Sequence, residues 1–337
     1  MEAYFYDHLK EQAVRCNLCH HRCIIAQGKR GICNVRANRK GILHSLVYGR
    51  IIAQSVDPIE KKPLFHLHPG SLSYSIATVG CNFRCRFCQN ADIAQLPTDR
   101  SGLIVGDDCA PQAVVEAALK ADCRSIAYTY TEPTVYFEFA CDTAQIAHRQ
   151  GLLNVFVTNG YMSPEALRHI APYLDAANVD LKSFSDDFYK TYCGARLGPV
   201  KQTLKLMKAL GVLVEVTTLV IPGLNDDRAE LEGLAAFLVT ELGPETPWHI
   251  SRFHPTYRLT DRPPTPLATL LEARDIGLQA GLRYVYTGNV PGEQSENTDC
   301  YRCGRTLVER WGFYVKRNVI KDSRCPFCGA PVDGIGL

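Results

Sequence analysis

The sequence of 337 residues has no long apolar run. No stretch approaches the roughly 20 apolar residues of a membrane-spanning helix, and its first eight residues lack the charged and apolar regions of a signal peptide. It also has almost no net charge, since 37 Lys and Arg against 35 Asp and Glu leave +2, which gives no case for nucleic-acid binding. We therefore expect a globular cytoplasmic protein that binds neither membranes nor nucleic acids.

Cysteine, by contrast, is abundant, with 15 residues. Eleven of them fall in three clusters, and in a cytosolic protein of this size clustered cysteines indicate metal binding more often than disulfides. The four scattered cysteines, Cys109, Cys123, Cys141 and Cys193, are expected to be buried packing residues.

Charge is uneven in one place, because residues 15–50 contain eight Lys or Arg and no acidic residue. Two interpretations remain open for this segment. It is either an ordinary solvated face or a docking surface for an acidic partner.

From about residue 73, short β-branched apolar runs alternate with longer helical patterns, which is typical of a parallel α/β sheet. The predicted strands are residues 74–79, 125–129, 153–157, 177–181, 212–220, 249–253 and 284–286. The predicted helices are residues 111–121, 135–150, 164–173, 200–210, 227–242 and 266–280. Six or seven such units predict an α/β fold with a complete or partial (β/α) barrel.

Small modules flank this predicted barrel. Residues 42–47 and 50–56 are expected to be two strands of a hairpin around Gly49, after a compact cysteine-rich module, and residues 291–298 are expected to be a linker. The sequence thus predicts an N-terminal module over residues 1–70, a barrel over 71–290 and a C-terminal module over 291–337.

The most informative cluster is Cys81, Cys85 and Cys88, spaced C-x3-C-x2-C directly after the first predicted barrel strand. An iron–sulfur cube normally takes four cysteine thiolates, and the next cysteine, Cys109, lies 21 residues further on. One iron is then left open for a substrate or cofactor, which indicates chemistry more than electron storage.

Active sites of barrels lie where strands end and the following loops begin. The later strand ends carry polar or Gly/Pro residues in the order Tyr130-Thr131-Glu132-Pro133, Thr158-Asn159-Gly160, Asp180-Leu181-Lys182, Ile221-Pro222-Gly223 and His254-Pro255. Together with the cysteine loop they predict a site at this end of the barrel. His66, His68, His249 and His254 are more simply explained as packed or hydrogen-bonded residues.

The cysteine loop, with Phe87 before its last cysteine, resembles that of the radical S-adenosylmethionine (SAM) superfamily. The loop followed by Thr-Asn-Gly, Asp-Leu-Lys and Ile-Pro-Gly resembles relatives of the pyruvate formate-lyase activating enzyme, and most closely the AmmeMemoRadiSam family. The resemblance implies that Cys81, Cys85 and Cys88 hold a 4Fe-4S cluster whose fourth iron chelates SAM, with Phe87 near the adenine.

Many members of that superfamily have Gly-Gly-Glu after the second strand, where it binds the SAM ammonium. The matching residues Tyr130, Thr131 and Glu132 keep the acid but lose both glycines, so the backbone is less free to adopt positive φ. We expect Thr131 and Glu132 to contact SAM through this segment.

Asn159, Asp180 and Lys182 are candidates for hydrogen bonds to the SAM ribose or carboxylate, because such contacts are ordinary charge-assisted pairs. The alternative is that Asp180 and Lys182 pair only with each other.

The activity implied by the resemblance is reductive cleavage of SAM to a 5′-deoxyadenosyl radical, which then abstracts hydrogen from a protein or other bulky substrate. The implied partners are an electron donor such as ferredoxin or flavodoxin, and a Memo-type or AMME-region-type protein. Two other functions stay open: an activase for a glycyl-radical enzyme and a non-catalytic zinc-binding scaffold. The activase hypothesis has less support, because larger activators carry ferredoxin-like cysteines in the region that corresponds to residues 89–125. Here that region contains only Cys109 and Cys123.

The other two clusters each have four thiols. Cys300, Cys303, Cys325 and Cys328 form two Cys-x2-Cys-Gly knuckles, which predict a zinc ribbon or a rubredoxin-like site, and zinc is the expected ion because closed four-cysteine sites usually hold it. Cys16, Cys19, Cys23 and Cys33 form the second set, for which spacing leaves zinc and an auxiliary iron–sulfur cluster equally open.

Overall fold

The computed structural model of the chain describes residues 1–290 and 295–337. The first half of the predicted linker, residues 291–294, and with it the predicted boundary at residue 291, lies outside the described residues. No helix in the described ranges is both long enough and apolar enough to cross a membrane.

The N-terminal region is a set of short strands. It comprises β1 (Tyr6–His8), β2 (Val14–Cys16), β3 (Ile24–Ile25), β4 (Arg36–Arg39), β5 (Ile42–Ser45), β6 (Arg50–Ile51) and β7 (Ala53–Pro58). The first three pair antiparallel, and β4 pairs with β5 as a hairpin.

The predicted hairpin around Gly49 is wrong, because β5 and β7 do not pair with each other. Gly49 adopts φ +68°, and a Cβ there would meet the carbonyl of Cys109 at 2.9 Å, so only glycine allows this turn. After the turn the chain leaves the module, and β7 becomes the antiparallel edge strand of the barrel sheet.

The remaining elements follow in chain order. The strands are β8 (Leu72–Ala77), β9 (Asp107–Asp108), β10 (Ser125–Tyr128), β11 (Leu153–Thr158), β12 (Ala176–Asp180), β13 (Leu213–Val220), β14 (Trp248–Arg252), β15 (Val285–Gly288), β16 (Thr298–Asp299), β17 (Thr306–Trp311) and β18 (Tyr314–Asn318). The helices are α1 (Ala91–Ala94), α2 (Leu96–Asp99), α3 (Pro111–Lys120), α4 (Phe137–Arg149), α5 (Pro164–Ile170), α6 (Asp186–Phe188), α7 (Leu197–Ala209), α8 (Arg228–Phe237) and α9 (Leu267–Ala280).

The central sheet confirms the predicted α/β partial barrel. Its eight strands run in the order β15-β14-β13-β12-β11-β10-β8-β7, and every pair from β8 to β15 is parallel. Parallel strands covered on both faces consist of nearly continuous buried residues, as in β10, where all four residues are buried. All seven predicted barrel strands are present.

Local sequence also sets where the helices begin. Ser163 caps α5 by accepting from the amide of Ala166 at 3.3 Å, and Asp227 caps α8 by accepting from the amide of Glu230 at 3.2 Å. Pro111 opens α3 at the position where its missing N–H costs nothing.

Residues 59–67, which we call the plug, fill the barrel near the N-terminal ends of its parallel strands. Ile59, Leu64 and Leu67 pack among small and branched residues of the parallel strands, including Ala127 and Val155. The plug therefore closes the barrel at the end opposite to the cysteine loop.

A buried carboxylate holds the plug in place. Glu215, the third residue of β13, accepts from the amides of Phe65 at 3.1 Å and His66 at 2.8 Å, and its Oε2 lies 2.6 Å from Nε2 of His249. Burial alone would raise the pKa of Glu215, but the bond from His249 and the charges of both imidazoles lower it below its usual range. His66 and His249 are thus packed, hydrogen-bonded residues near the N-terminal ends of the strands.

The C-terminal module rests on this plug. The amide of His68 donates to the carbonyl of Ile335 and the amide of Ile335 to that of His66, both at 2.8 Å. The buried guanidinium of Arg310 donates to the carbonyl of Phe65 at 2.9 Å. β17 and β18 form an antiparallel hairpin between the two cysteine knuckles.

A buried ion pair joins the N-terminal region to the barrel. The guanidinium of Arg36 donates to both carboxylate oxygens of Glu138 on α4, at 3.0 and 2.6 Å, and the amide of Tyr4 donates to the same carboxylate at 2.7 Å. Neither charged side chain is more than 2% exposed.

Replacing Glu215 by Ala is expected to lower the free energy of unfolding by about 3–5 kcal/mol, because two buried amides and a buried imidazole lose their acceptor. Chemical denaturation of the purified protein measures this change. The matched variant Glu272→Ala removes an exposed carboxylate that pairs with Arg228 at 3.0 Å, and it should cost less than about 1 kcal/mol. Equal effects of the two substitutions would contradict the role assigned to Glu215.

Candidate active site and metal sites

The three cysteines of the loop after β8 lie at the C-terminal end of the parallel sheet. The loop is fixed by backbone hydrogen bonds, from Arg84 to the carbonyl of Cys193 at 2.7 Å and from Arg86 to that of Tyr192 at 2.9 Å. Hence a short turn of helix after α6 (Tyr189–Cys193) sets the position of the loop.

Each thiol of the loop has a distinct environment. Cys81 Sγ accepts from the amide of Phe83 at 3.3 Å and lies 3.8 Å from Nδ2 of Asn159, while burial raises the pKa of its thiol well above the usual range. The hydrogen bond from the thiol of Cys193 lowers the pKa of Cys85. The structure describes the whole loop, and its three sulfurs do not all lie within 4.8 Å of one another. They are therefore spaced too widely to bind a single metal ion.

Cys193 is a site residue that sequence spacing did not reveal. It is buried, as expected for a scattered cysteine, and so are Cys123 and Cys141, whereas Cys109 is only half-buried. Its thiol contacts that of Cys85 across 108 residues of chain, which no local pattern encodes.

Glu132 connects the ends of two strands. Its buried carboxylate accepts from the amide of Thr134 at 3.0 Å, the hydroxyl of Thr158 at 2.8 Å and the amide of Asn159 at 2.8 Å. Burial raises the pKa of Glu132 above its usual range. Both oxygens are therefore engaged by the protein itself.

Tyr130 adopts the left-handed backbone conformation in spite of its side chain, with φ +60°. A backbone without the two glycines is less free to adopt positive φ, yet Tyr130 adopts it here. The Tyr130 hydroxyl donates to Asp57 of β7, its ring lies 4.8 Å from the ammonium of Lys62, and its carbonyl accepts from Asn90 at 2.7 Å. These contacts hold a conformation that a non-glycine residue rarely adopts.

The charges around Asp57 reinforce this arrangement. Its carboxylate binds the ammonium groups of Lys61 at 2.8 Å and Lys62 at 2.6 Å. Burial lowers the pKa of Lys62 to about 8, although the bond to Asp57 opposes the change. Asp57 was not among the predicted site residues, because only the pairing of β7 with β8 brings it there.

The remaining predicted residues gather at the same end of the sheet. The side-chain amide of Asn159 donates to Oδ1 of Asn82 at 2.8 Å, and the hydroxyl of Thr131 donates to the carbonyl of Thr78 at 2.9 Å. The ring of Phe87 lies 5.8 Å from the ammonium of Lys182.

Asp180 and Lys182 pair with each other at 3.0 Å. Burial would lower the pKa of Lys182, but the charge of Asp180 outweighs it and raises the pKa well above its usual range. Lys182 is therefore a permanent cation close to Cys85.

The C-terminal cysteines form a compact site. All four sulfurs lie within 4.8 Å of one another, with Cys300 and Cys328 at 3.6 Å and Cys303 and Cys325 at 3.8 Å. A tetrahedral ion with metal–sulfur bonds of about 2.3 Å places its ligands about 3.8 Å apart. The geometry therefore fits one closed metal ion.

The four N-terminal cysteines line one cavity; they are Cys16, Cys19, Cys23 and Cys33. In the surrounding basic segment, ion pairs neutralise Arg22, Arg36 and Arg50. The charges left exposed are those of Arg15, Lys29, Arg30, Arg39 and Lys40.

Comparisons with known proteins place this arrangement in a family. An uncharacterized protein of Methanocaldococcus jannaschii is 48% identical over 334 residues, covering 98% of each chain. Residues 75–235, which contain the cysteine loop and the strand ends through β13, match the Radical SAM superfamily. The chain belongs to the radical SAM superfamily.

Other relatives match shorter parts of the chain. The pyruvate formate-lyase-activating enzyme of Clostridium pasteurianum is 24% identical over 165 residues, which are 46% of this chain and 65% of that enzyme. A radical SAM methyltransferase from Sphaerobacter thermophilus shares the fold, with a TM-score of 0.51, 16% identity and 71% of each chain covered.

Membership implies an enzyme that uses a 4Fe-4S cluster and SAM, and the cysteine loop fits such a cluster. Its three thiols lie at the end of the first parallel strand without all lying within 4.8 Å of one another, and two N–H groups approach Cys81. The C-terminal cysteine cluster can bind a metal ion.

Replacing Cys193 by Ala is expected to leave iron and sulfide content unchanged and to make the midpoint potential of the loop cluster more negative. The reason is that a hydrogen bond to a ligand sulfur favours the reduced, more negatively charged cluster. An EPR-monitored redox titration of anaerobically reconstituted protein measures the potential. Cys141→Ala removes an equally buried thiol in α4 and should leave the potential unchanged; loss of iron from the Cys193 variant would instead show that Cys193 is a ligand.

Replacing Cys303 by Ser is expected to remove one bound metal ion per chain, because a closed site then has three thiolates. Cys303 is exposed, so the substitution leaves no cavity in a core. Elemental analysis after dialysis measures the ion, and limited proteolysis should show faster cleavage within residues 295–337. The half-buried Cys109→Ser is the matched control; full metal retention in the Cys303 variant would refute the site.

Proposed function

We propose that this protein is a radical SAM enzyme of the AmmeMemoRadiSam family, in which Cys81, Cys85 and Cys88 hold a 4Fe-4S cluster with one iron open for SAM. When bound, the reduced cluster supplies the electron that cleaves SAM to methionine and a 5′-deoxyadenosyl radical, which abstracts hydrogen from a protein or other bulky substrate. The observation that carries this proposal is the set of three widely spaced thiols at the C-terminal end of the first barrel strand.

The proposed SAM contacts divide into two kinds. Glu132 and Asn159 are already bonded to the protein, so they position the strand ends and the cysteine loop as well as lining the site. Asp180 and Lys182 form an ion pair in which Asp180 is 35% exposed, so the polar groups of SAM can bind to it. Phe87 and Thr131 complete the proposed contacts.

An open side supports a bulky substrate. Within the described ranges the central sheet is not closed, since β7 and β15 are its two edges. His254 and Pro255, which follow β14 at the C-terminal end of the barrel, are exposed to solvent. A macromolecular segment can reach the strand ends from this side.

The proposed partners are a ferredoxin or flavodoxin as electron donor and a Memo-type or AMME-region-type protein as substrate or partner. The five exposed basic residues near the N-terminal module support docking of an acidic electron carrier. Zinc is the proposed ion of the C-terminal site, because the sulfur separations suit a closed tetrahedral ion.

Activation of a glycyl-radical enzyme is the second candidate. It is favoured by relatives named as activating enzymes, among them the (2S)-3-sulfopropanediol dehydratase activating enzyme of Klebsiella oxytoca, 25% identical over 112 residues. Such an activity predicts a glycyl-radical EPR signal on the target protein after incubation with enzyme, reductant and SAM.

Anaerobically reconstituted protein supplied with dithionite and SAM is expected to form 5′-deoxyadenosine, measured by liquid chromatography with mass spectrometry. The triple variant Cys81→Ala, Cys85→Ala, Cys88→Ala should form it only at the background level, because the cluster has no ligands left in the loop. The control replaces Cys109, Cys123 and Cys141, three cysteines outside the clusters, by Ala. Equal product from wild type and loop variant would refute the proposal.

A further inference from the structure

We propose that Cys16, Cys19, Cys23 and Cys33 hold a second iron–sulfur cluster, closed by four thiolates and redox-active, directly behind the cysteine loop of the active site. Its occupancy is independent of the proposed function, whereas its use as an electron source for the loop rests on that function.

The spacing of the four sulfurs argues against a single ion. No three of them, all in the described part of the chain, lie within 4.8 Å of one another, in contrast to the C-terminal site. All four cysteines line one shared cavity. A cubane binds each thiolate at a different corner, so it holds its ligands farther apart than one tetrahedral ion does.

Unpartnered donors line the same cavity. Nε of Arg36 and Nδ2 of Asn82 are buried and have no hydrogen-bond partner among the residues that the structure describes, and the two residues, which line the cavity, are 2% and 1% exposed. Buried donors are normally satisfied, so a group with acceptors is expected in this space. Inorganic sulfides provide such acceptors, whereas a zinc ion adds none.

The cavity shares a wall with the active-site loop. Asn82 follows Cys81 in the chain, lines the cavity and accepts at its Oδ1 from the side-chain amide of Asn159 at 2.8 Å. Nε2 of His21 lies 2.8 Å from the carbonyl of Asn82. A Cβ on Gly80 would lie 3.4 Å from the carbonyl of Cys33, so the two cysteine sets are separated by about one layer of residues.

The surroundings suit electron transfer more than catalysis. Four cysteines satisfy all four irons of a cubane, so no iron is left open for a substrate. Ile32 lines the cavity and is also 44% exposed, which brings the site close to the surface, and Lys29 and Arg30 are exposed beside it. A low-potential one-electron carrier with an acidic surface fits this position.

The redox step is simple to balance. The donor loses one electron, the closed cluster gains it and changes from the 2+ to the 1+ state, and the electron then leaves for the cluster of the loop. No bond is made or broken, and no proton is required.

The experiment compares metal content in three anaerobically reconstituted full-length proteins. Wild type is expected to contain about eight irons and eight sulfides. Two variants, the double variant Cys19→Ser, Cys23→Ser and the triple variant Cys81→Ala, Cys85→Ala, Cys88→Ala, are each expected to contain about four irons and four sulfides. Cys19 and Cys23 are only partly buried, which limits the packing loss, and the double variant Cys109→Ser, Cys123→Ser is the control with full iron.

The result that overturns the proposal is a loss of zinc, with no loss of iron or sulfide, from the Cys19, Cys23 variant. A different outcome would contradict only the proposed function: the loop variant keeps the iron content of wild type, while the Cys19, Cys23 variant loses about four irons. That outcome would support the second cluster and refute the cluster of the loop.

EPR of the reduced proteins gives a second measure that does not depend on how well a variant folds. In wild type, two adjacent reduced clusters should broaden each other's signals through spin–spin coupling. A dithionite-reduced wild-type spectrum with a single unbroadened cluster signal would contradict the second cluster.

Discussion

The fully bonded carboxylate of Glu132 is the constraint on which the active-site end of this protein depends. A buried carboxylate is tolerated only where hydrogen bonds replace water, and here the protein supplies them from Thr134, Thr158 and Asn159. Those bonds fix the end of β11 relative to β10. Because Asn159 in turn holds Asn82, the same carboxylate indirectly sets the cysteine loop and the N-terminal module behind it.

The barrel could be predicted from sequence because both faces of its strands are covered. Strands such as β10 are then continuous apolar runs bounded by polar loops, and the alternation with helices is visible along the chain. The pairing of β7 could not be predicted in this way. Its residues form a plausible strand, but only the turn at Gly49 and the free edge of β8 decide its partner.

The same distinction between local patterns and long-range contacts applies to the candidate site. Candidate metal ligands that follow one another at fixed spacing could be recognised in the sequence, and the glycines after Cys303 and Cys328 adopt the left-handed conformation that the knuckles need. Contacts between segments that are distant in the chain could not be predicted. They include the contact of Cys193 with Cys85 and the hydrogen bonds from Tyr130 to Asp57 and from the plug to Glu215. Nor does spacing give sulfur separations, which depend on how the loops pack.

The ion pair between Arg36 and Glu138 also bears on the order of assembly. The N-terminal cysteine module is synthesised first, yet the acid that neutralises its buried arginine lies 102 residues later, on α4. Until that helix has emerged and docked, a lone guanidinium would have to leave water for an apolar interior, at a cost of several kcal/mol. The module is therefore expected to stay open during synthesis, so that its four thiols come together only after β8, β10 and α4 have been made.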